Sequence, residues 1–186
     1  MLATAHISFF NEILKERTST DLEVRKIYGS DETEDLNFPP AIVLKPETVK
    51  EVSEIMRYCH ENQITVTPAG ARTGLSGGAL CDHGGVLISM EKFNKIINID
   101  EKNHQVVTEP GVITQVLQDA VKDKGLFYPP DPASKGSCFI GGNVAENAGG
   151  PKAVKYGVTK DYVLNLEIVL PTGEVIWTGA NVLKNA

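Results

Sequence analysis

The chain has 186 residues, enough for one domain or for two small lobes that share a ligand. Its 41% hydrophobic and 23% charged residues are ordinary for a globular protein with a proper core. A net charge of −6 supplies no basic stripe for nucleic acid or an anionic membrane, so neither is an expected partner.

The opening residues lack the charged leader and apolar run of a secretory signal, and no stretch is apolar for long enough to span a membrane. The three cysteines, Cys59, Cys81 and Cys138, are odd in number and lack metal-ligand spacing, which fits a reduced, cytoplasmic setting. Cys59 falls on an apolar helical stripe and reads as a small buried hydrophobe.

In chain order, Ile7, Phe10 and Leu14 predict an N-terminal helix over residues 4–17. The polar stretch 31–40 ends in Pro39-Pro40 and reads as an extended connector. Residues 41–44 form a short apolar strand. Thr48 and Glu51 have capping-box spacing ahead of the stripe Val49, Val52, Ile55, Met56 and Cys59, so a helix runs from there to about Asn62. A strand at 64–67 follows, and together these make one strand–helix–strand unit whose second strand runs into a glycine-rich loop. Residues 86–89 give a third strand. Residues 96–100 and 105–109 flank a four-residue turn and predict an antiparallel hairpin. Ile113, Val116, Leu117, Ala120 and Val121 trace a helix ending at Gly125. A second hairpin joins 163–170 to 175–178 through Pro171-Thr172-Gly173-Glu174. The expected fold class is α+β, with a small parallel βαβ lobe at about 39–93 and a larger, mostly antiparallel lobe with helices at about 94–186. Residues 1–38 supply the N-terminal helix and connector.

Three segments carry the chemistry. The first, Pro68-Ala-Gly-Ala-Arg-Thr-Gly-Leu-Ser-Gly-Gly78, directly follows a buried strand, as phosphate loops do. Its glycines let the backbone approach a ligand, successive N–H groups can form an anion nest, and Arg72, Thr73 and Ser76 add donors. A flexible loop or hinge is the alternative. The spacing is neither GxGxxG nor a Walker loop, so any diphosphate here is held by a different scaffold. The second segment is Ile140-Gly-Gly-Asn-Val-Ala-Glu-Asn-Ala-Gly-Gly150. It reads either as a short helix facing an anion, with Asn143 and Asn147 on one face, or as a loop covering a sheet edge. The third, Tyr128-Pro-Pro-Asp-Pro-Ala-Ser134, is a stiff crossing whose Asp131 and Ser134 are presented to a ligand or simply belong to a connector.

With Glu109-Pro-Gly111-Val, Tyr156-Gly157 and Leu166-Glu-Ile-Val-Leu-Pro-Thr-Gly173, these segments, in order from about Pro39 to Thr178, resemble the FAD-binding domain of the vanillyl-alcohol oxidase and p-cresol methylhydroxylase family. Within it the likeness is to the glycolate oxidase flavoprotein subunit and FAD-dependent D-lactate dehydrogenases. The resemblance implies two lobes sandwiching FAD. It implies that Pro68, Ala69, Gly70, Ala71, Arg72, Thr73 and Gly74, with Ser76, Gly77 and Gly78, wrap the pyrophosphate. Pro130, Asp131, Ser134 and Ser137 would line the ribityl and isoalloxazine side. Gly141, Gly142 and Asn143, then Asn147, Ala148 and Gly149, would meet the pyrophosphate and flavin from the other lobe. Tyr156 and Gly157 would close that loop, and Ile168 and Val169 would reach the adenine end through their backbone.

Relatives that bind FAD covalently carry a His in the first loop; Ala71-Arg72-Thr73 stands there, so non-covalent FAD is expected. Full-length relatives continue into a cap domain with the substrate site, and the chain ends at Val182–Ala186 where they continue. The expectation is therefore an FAD domain lacking its C-terminal cap. Its enzyme oxidises a 2-hydroxy acid, glycolate or D-lactate, to the 2-keto acid. The alternative is a stand-alone flavin-binding or assembly module without activity of its own. No catalytic residue is expected within these residues, because the flavin accepts the hydride and no nucleophile–base pair is visible. His6, His60, His83 and His104 are scattered, read as solvated surface residues, and predict no metal site. An uncapped apolar face predicts self-association or a partner subunit.

Overall fold

The computed structural model describes residues 2–180. The expectation about Val182–Ala186 lies outside them. Two compact units are distinguished, the first comprising residues up to 69, 74–90 and from 164 onward, the second 70–73 and 91–163.

The first unit is built on a four-stranded sheet. Helix α1 (Thr4–Leu14) buries Phe10 and Leu14 and tightens into a 3-10 turn at Lys15–Arg17, ending the predicted helix one turn early. A two-residue strand β1 (Thr18–Ser19) and helix α2 (Leu22–Tyr28) follow. Neither was legible in the sequence. α2 has seven residues, too few for two turns of apolar periodicity, and forms because Asp21 Oδ1 caps the N–H groups of Glu23 and Val24 at 3.0 Å each. Next come β2 (Ile42–Leu44), α3 (Val49–Glu61), β3 (Val66–Ala69) and β4 (Val86–Ser89). The sheet order is β1-β2-β4-β3, with β4 parallel to both β2 and β3. The predicted strand–helix–strand unit is present, and the predicted third strand, β4, sits between its two strands.

The apolar runs of β2 and β4 explain that central placement. Ile42, Leu44, Val86 and Ile88 pack with Phe10, Leu14, Ile55 and Cys59 of α1 and α3, while Val43 and Leu87 pack on the other face with Tyr28, Ala69 and Cys81. Strands buried on both faces read as continuous hydrophobic sequence, without polar alternation.

The capping box of α3 forms as expected and is extended by Arg17. Thr48 Oγ1 accepts from Glu51 N–H at 3.2 Å, and Glu51 Oε2 accepts from the N–H groups of Glu47 and Thr48. The Arg17 guanidinium grips both Glu51 oxygens, at 2.9 and 2.6 Å. Those guanidinium hydrogen bonds hold the Glu51 carboxyl down at about 2, against an ordinary 4.5, with the backbone donors assisting and burial opposing. A depressed carboxylate stabilises the fold above its unfolded pKa and loses that contribution as pH falls through its folded one. Glu51→Gln is thus expected to cost about 2 kcal/mol at pH 7. The difference from the parent should shrink from about pH 4.5 downward and disappear only as pH falls through about 2. Urea melts across that range check it, and a pH-independent difference would contradict it.

The hairpin β7 (Glu167–Val169) and β8 (Val175–Trp177) turns at Leu170–Glu174, with Gly173 at φ +83°. It belongs to the first unit, not to the lobe 94–186 in which the sequence placed it. The Ser53 hydroxyl of α3 donates to Gly173 O, and a Cβ on Gly173 would lie 2.8 Å from Arg57 Cβ. The hairpin is thus fastened to α3, 120 residues back in the chain.

The second unit holds the antiparallel hairpin β5 (Ile96–Asp100) and β6 (Gln105–Thr108), with a register shift between Ile96 and Asn98. Helix α4 (Thr114–Lys122) buries Leu117 and Val121 with Val112 and Ile140. Val116, assigned to the apolar stripe by its spacing, is 51% exposed, because the buried stripe runs through Thr114, Leu117 and Val121 and leaves that position outward. Two short helices, α5 (Ile140–Ala145) and α6 (Ala153–Tyr156), complete the unit with a 3-10 turn at Thr159–Tyr162.

Candidate functional site

The first loop leaves the buried end of β3, where Ala69 is 1% exposed and its carbonyl accepts from Met90 N–H at 2.9 Å. Pro68, Ala69 and Gly74–Gly78 belong to the first unit, and Gly70–Thr73 to the second. Arg72 (φ +58°) and Gly77 (φ +74°) are the left-handed positions of this loop. Gly74 is not among them, so its role is not positive φ: a Cβ built there meets nothing within 4 Å. Its carbonyl accepts from Glu32 N–H at 3.1 Å, which ties the 31–33 stretch to the loop. In that stretch Asp31 Oδ2 and Thr33 Oγ1 are buried without a hydrogen-bond partner.

Within the second unit, the tip of the first loop meets the second glycine-rich segment. A Cβ on Gly70 would lie 3.8 Å from Gly142 N and from Phe139 Cβ. Gly141 packs on Pro110, and its N–H donates to Pro110 O at 2.7 Å, whereas Gly142 faces open space. The predicted helix opening at Gly141-Gly142 forms as α5, but it spans only six residues. Asn143 and Asn147 therefore do not share a face. Asn143 lies inside the helix and is 3% exposed, with Nδ2 donating to Thr114 Oγ1 at 2.6 Å. Asn147 falls past the helix end at φ +50°, and its Oδ1 accepts from Lys160 N–H at 3.0 Å. Asn tolerates the left-handed region that stops a helix, so its spacing from Asn143 reports a helix end.

Asp131, in the third segment, is 8% exposed and forms an ion pair with Lys152 Nζ at 3.2 Å, with Lys135 Nζ at 3.9 Å. Gly150, at φ +137°, lies so close to Asp131 that a Cβ would come within 2.5 Å of its carbonyl carbon. The Asp131 carboxylate thus clasps the proline-rich crossing onto the turn after α5. Pro130 O accepts from Gln118 Nε2 at 2.8 Å, and Ser134 O accepts from the N–H groups of Ser137 and Cys138. Ala148 O accepts from Thr159 Oγ1 at 2.7 Å, and Gly149 packs on Val158. Tyr156 stands edge-on to Phe127, its carbonyl accepts from Tyr162 OH at 2.6 Å, and Gly157 (φ +82°) ends α6. Ile168 and Val169 lie on β7, in the first unit.

Among the described residues no group of three or more His, Cys, Asp or Glu could hold a metal ion. His60, His83 and His104 are exposed, but His6 is not simply solvated: its Nδ1 lies 2.9 Å from Tyr58 OH. Cys59, Cys81 and Cys138 are free and buried, and burial pushes the Cys59 thiol up to about 12. Among the described residues no helix is long and apolar enough to cross a membrane.

The sequence pattern of the FAD-binding domain family matches residues 40–179. A D-lactate dehydrogenase of Anaerostipes hadrus is 43% identical over 97% of this chain and 38% of its own length. Glycolate oxidase subunit GlcD of Bacillus subtilis is 42% identical over 87% of this chain and 34% of its own length. The chain thus spans little more than a third of these relatives. The crystal structure of p-cresol methylhydroxylase with substrate bound superposes at a TM-score of 0.79 and 22% identity, covering 96% of this chain and 36% of that one. Matched over most of its length and folded as p-cresol methylhydroxylase is, the chain belongs to the FAD-binding domain family, and FAD is its cofactor.

Proposed function

We propose that the chain is the FAD-binding part of an oxidoreductase that converts a 2-hydroxy acid, glycolate or D-lactate, to the 2-keto acid. The observation that carries this reading is the meeting of two glycine-rich segments at Gly70 and Gly142, beside positions where added side-chain atoms meet only open space. FAD fits that arrangement, because a diphosphate held by backbone N–H groups needs close approach without a Cβ in the way. In the first unit, Pro68, Ala69, Gly74, Ser76, Gly77 and Gly78 would hold the pyrophosphate, and Ile168 and Val169 the adenine end. In the second, Gly70, Ala71, Arg72 and Thr73 would hold the pyrophosphate, and Gly141, Gly142, Asn143 and Asn147–Gly149 would meet the pyrophosphate and flavin. Pro130, Asp131, Ser134 and Ser137 would border the flavin, with Tyr156-Gly157 closing the segment.

Bound FAD supplies a hydride acceptor, and the chain's own residues bind and orient it. The names of the relatives support the substrate class, and by the family resemblance the substrate contacts would lie in a cap domain. Residues 39–186 form the FAD-binding domain and residues 1–38 its N-terminal extension. The three free cysteines support a reducing compartment, the cytoplasm. A partner subunit fits the name of the glycolate oxidase relative.

FAD is held without a covalent bond, since the first loop reads Ala71-Arg72-Thr73 and offers no His. Acid precipitation of the yellow protein is expected to leave all flavin in the supernatant. Flavin retained in a washed pellet would overturn non-covalent binding. A colourless protein that takes up no added FAD would overturn the reading itself.

A further inference from the structure

Beneath α5 lies a buried polar chain of which the cofactor reading uses only Asn143. Thr114 is fully buried, and Cys138 and Asn143 are each 3% exposed. Thr114 Oγ1 lies 3.4 Å from Cys138 O and 3.2 Å from Cys138 Sγ, and it accepts from Asn143 Nδ2 at 2.6 Å. A threonine hydroxyl has one hydrogen to give. With that hydrogen directed to Cys138, Thr114 can only accept from Asn143, which fixes the amide with Nδ2 inward. Asn143 Oδ1 then faces away from Thr114 and takes no hydrogen bond from any described residue. The Asn143 side chain sits next to Gly142, which faces open space where the tip of the first loop arrives. On a residue only 3% exposed, an unpaired acceptor held in one orientation and still open to the surface is placed to take a donor from a bound ligand.

We infer that Thr114 is a positioning residue for the cofactor site: it locks the Asn143 amide so that Oδ1 accepts a hydrogen bond from an N–H or O–H group of FAD. The inference rests on the FAD reading and adds to it a residue that touches no ligand. Both sugar portions and both ring systems of FAD carry such donors. ADP presents those of the adenosine half, and FMN those of the flavin half.

The test is a set of titrations of the FAD-free chain with FAD, ADP and FMN, read by calorimetry, together with the melting temperature of each ligand-free variant. Thr114→Val removes the hydroxyl while keeping the shape, and Thr114→Ser restores it. Thr114→Val is expected to weaken FAD about tenfold, Thr114→Ser to bind as the parent does, and only one of ADP and FMN to weaken with FAD. The affected half names the donor. Asn143→Leu removes the acceptor directly, and its loss should not deepen when Thr114→Val is added. If Thr114→Val does not fold, Asn143→Leu still decides, because its loss must fall on one half of the cofactor alone. Unchanged FAD affinity would overturn the inference. So would equal weakening of ADP and FMN with a lowered ligand-free melting temperature, which marks a structural role only. A parent chain that binds no FAD would defeat the FAD reading instead, and the two failures are told apart by that control.

Discussion

Replacing Gly74 by valine is expected to weaken FAD binding about 100-fold while leaving the ligand-free chain as stable as its parent, to within about 0.5 kcal/mol. The two halves of this expectation come from one observation. A Cβ at Gly74 meets nothing within 4 Å, and the backbone there is not in the left-handed region, so the substituted chain itself suffers neither collision nor strain. Its carbonyl stays bonded to Glu32 N–H, so the loop keeps its place. What changes is the space in front of the loop, which the valine methyls fill and a diphosphate needs. Arg72→Ala should cost less, about tenfold, because water replaces a guanidinium contact at a partly solvated diphosphate more easily than a backbone can retreat from a branched side chain. Calorimetric titration with FAD and thermal melts of the ligand-free variants check both. A Gly74→Val chain that binds FAD normally, or one that loses binding only because it unfolds, would remove this loop from the cofactor site.

Much of this was legible because the relevant physics is local. The capping box at Thr48 and Glu51 forms from side chains three residues apart, and the turn at Pro171–Glu174 from residues with strong turn preferences. Strand β4 was readable because burial on both faces leaves an uninterrupted apolar run. What escaped depends on partners distant in sequence. The Ser53 hydroxyl fastens the C-terminal hairpin to α3, and no sequence period announces a contact 120 residues away. Asn147 looked like a helical partner of Asn143 until α5 proved to stop at Ala145. Boundary errors of one turn reverse such assignments, because each residue advances a helix face by 100°. The ion pairs of Asp131 with Lys135 and Lys152, four and 21 residues away, were likewise unannounced by any period of the sequence. Thr114 carried no signal at all. A threonine entering a helix suggests a cap, and only the fold reveals that Asn143 reaches down to it.

The polypeptide of these 186 residues, loaded with FAD, is expected not to oxidise glycolate or D-lactate at an enzyme-like rate. Oxidising a 2-hydroxy acid requires removing the hydroxyl proton as hydride leaves the adjacent carbon, and a positioned base contributes about 10²–10⁴-fold to such a step. The one carboxylate within the glycine-rich segments, Glu146, is exposed at the C-terminal end of α5. The charged side chains that bonding fixes in place are engaged: Asp131 with Lys152 and Lys135, and Glu51 with Arg17. His60, His83 and His104 are exposed and scattered over α3 and two turns, and His6 is bonded to Tyr58. The substrate carboxylate also needs cationic groups to hold the acid over the flavin, and orientation of this kind carries as much as about 10⁵ or more in effective molarity. The relatives named for these reactions are nearly three times as long as the stretch they share with this chain. Anaerobic mixing with either acid should therefore leave the flavin spectrum oxidised for minutes, at a rate at least about 10⁴-fold below that of a competent enzyme. Bleaching within seconds would place a complete substrate site inside residues 1–186 and would reassign to these residues the proton transfer placed here in a cap domain.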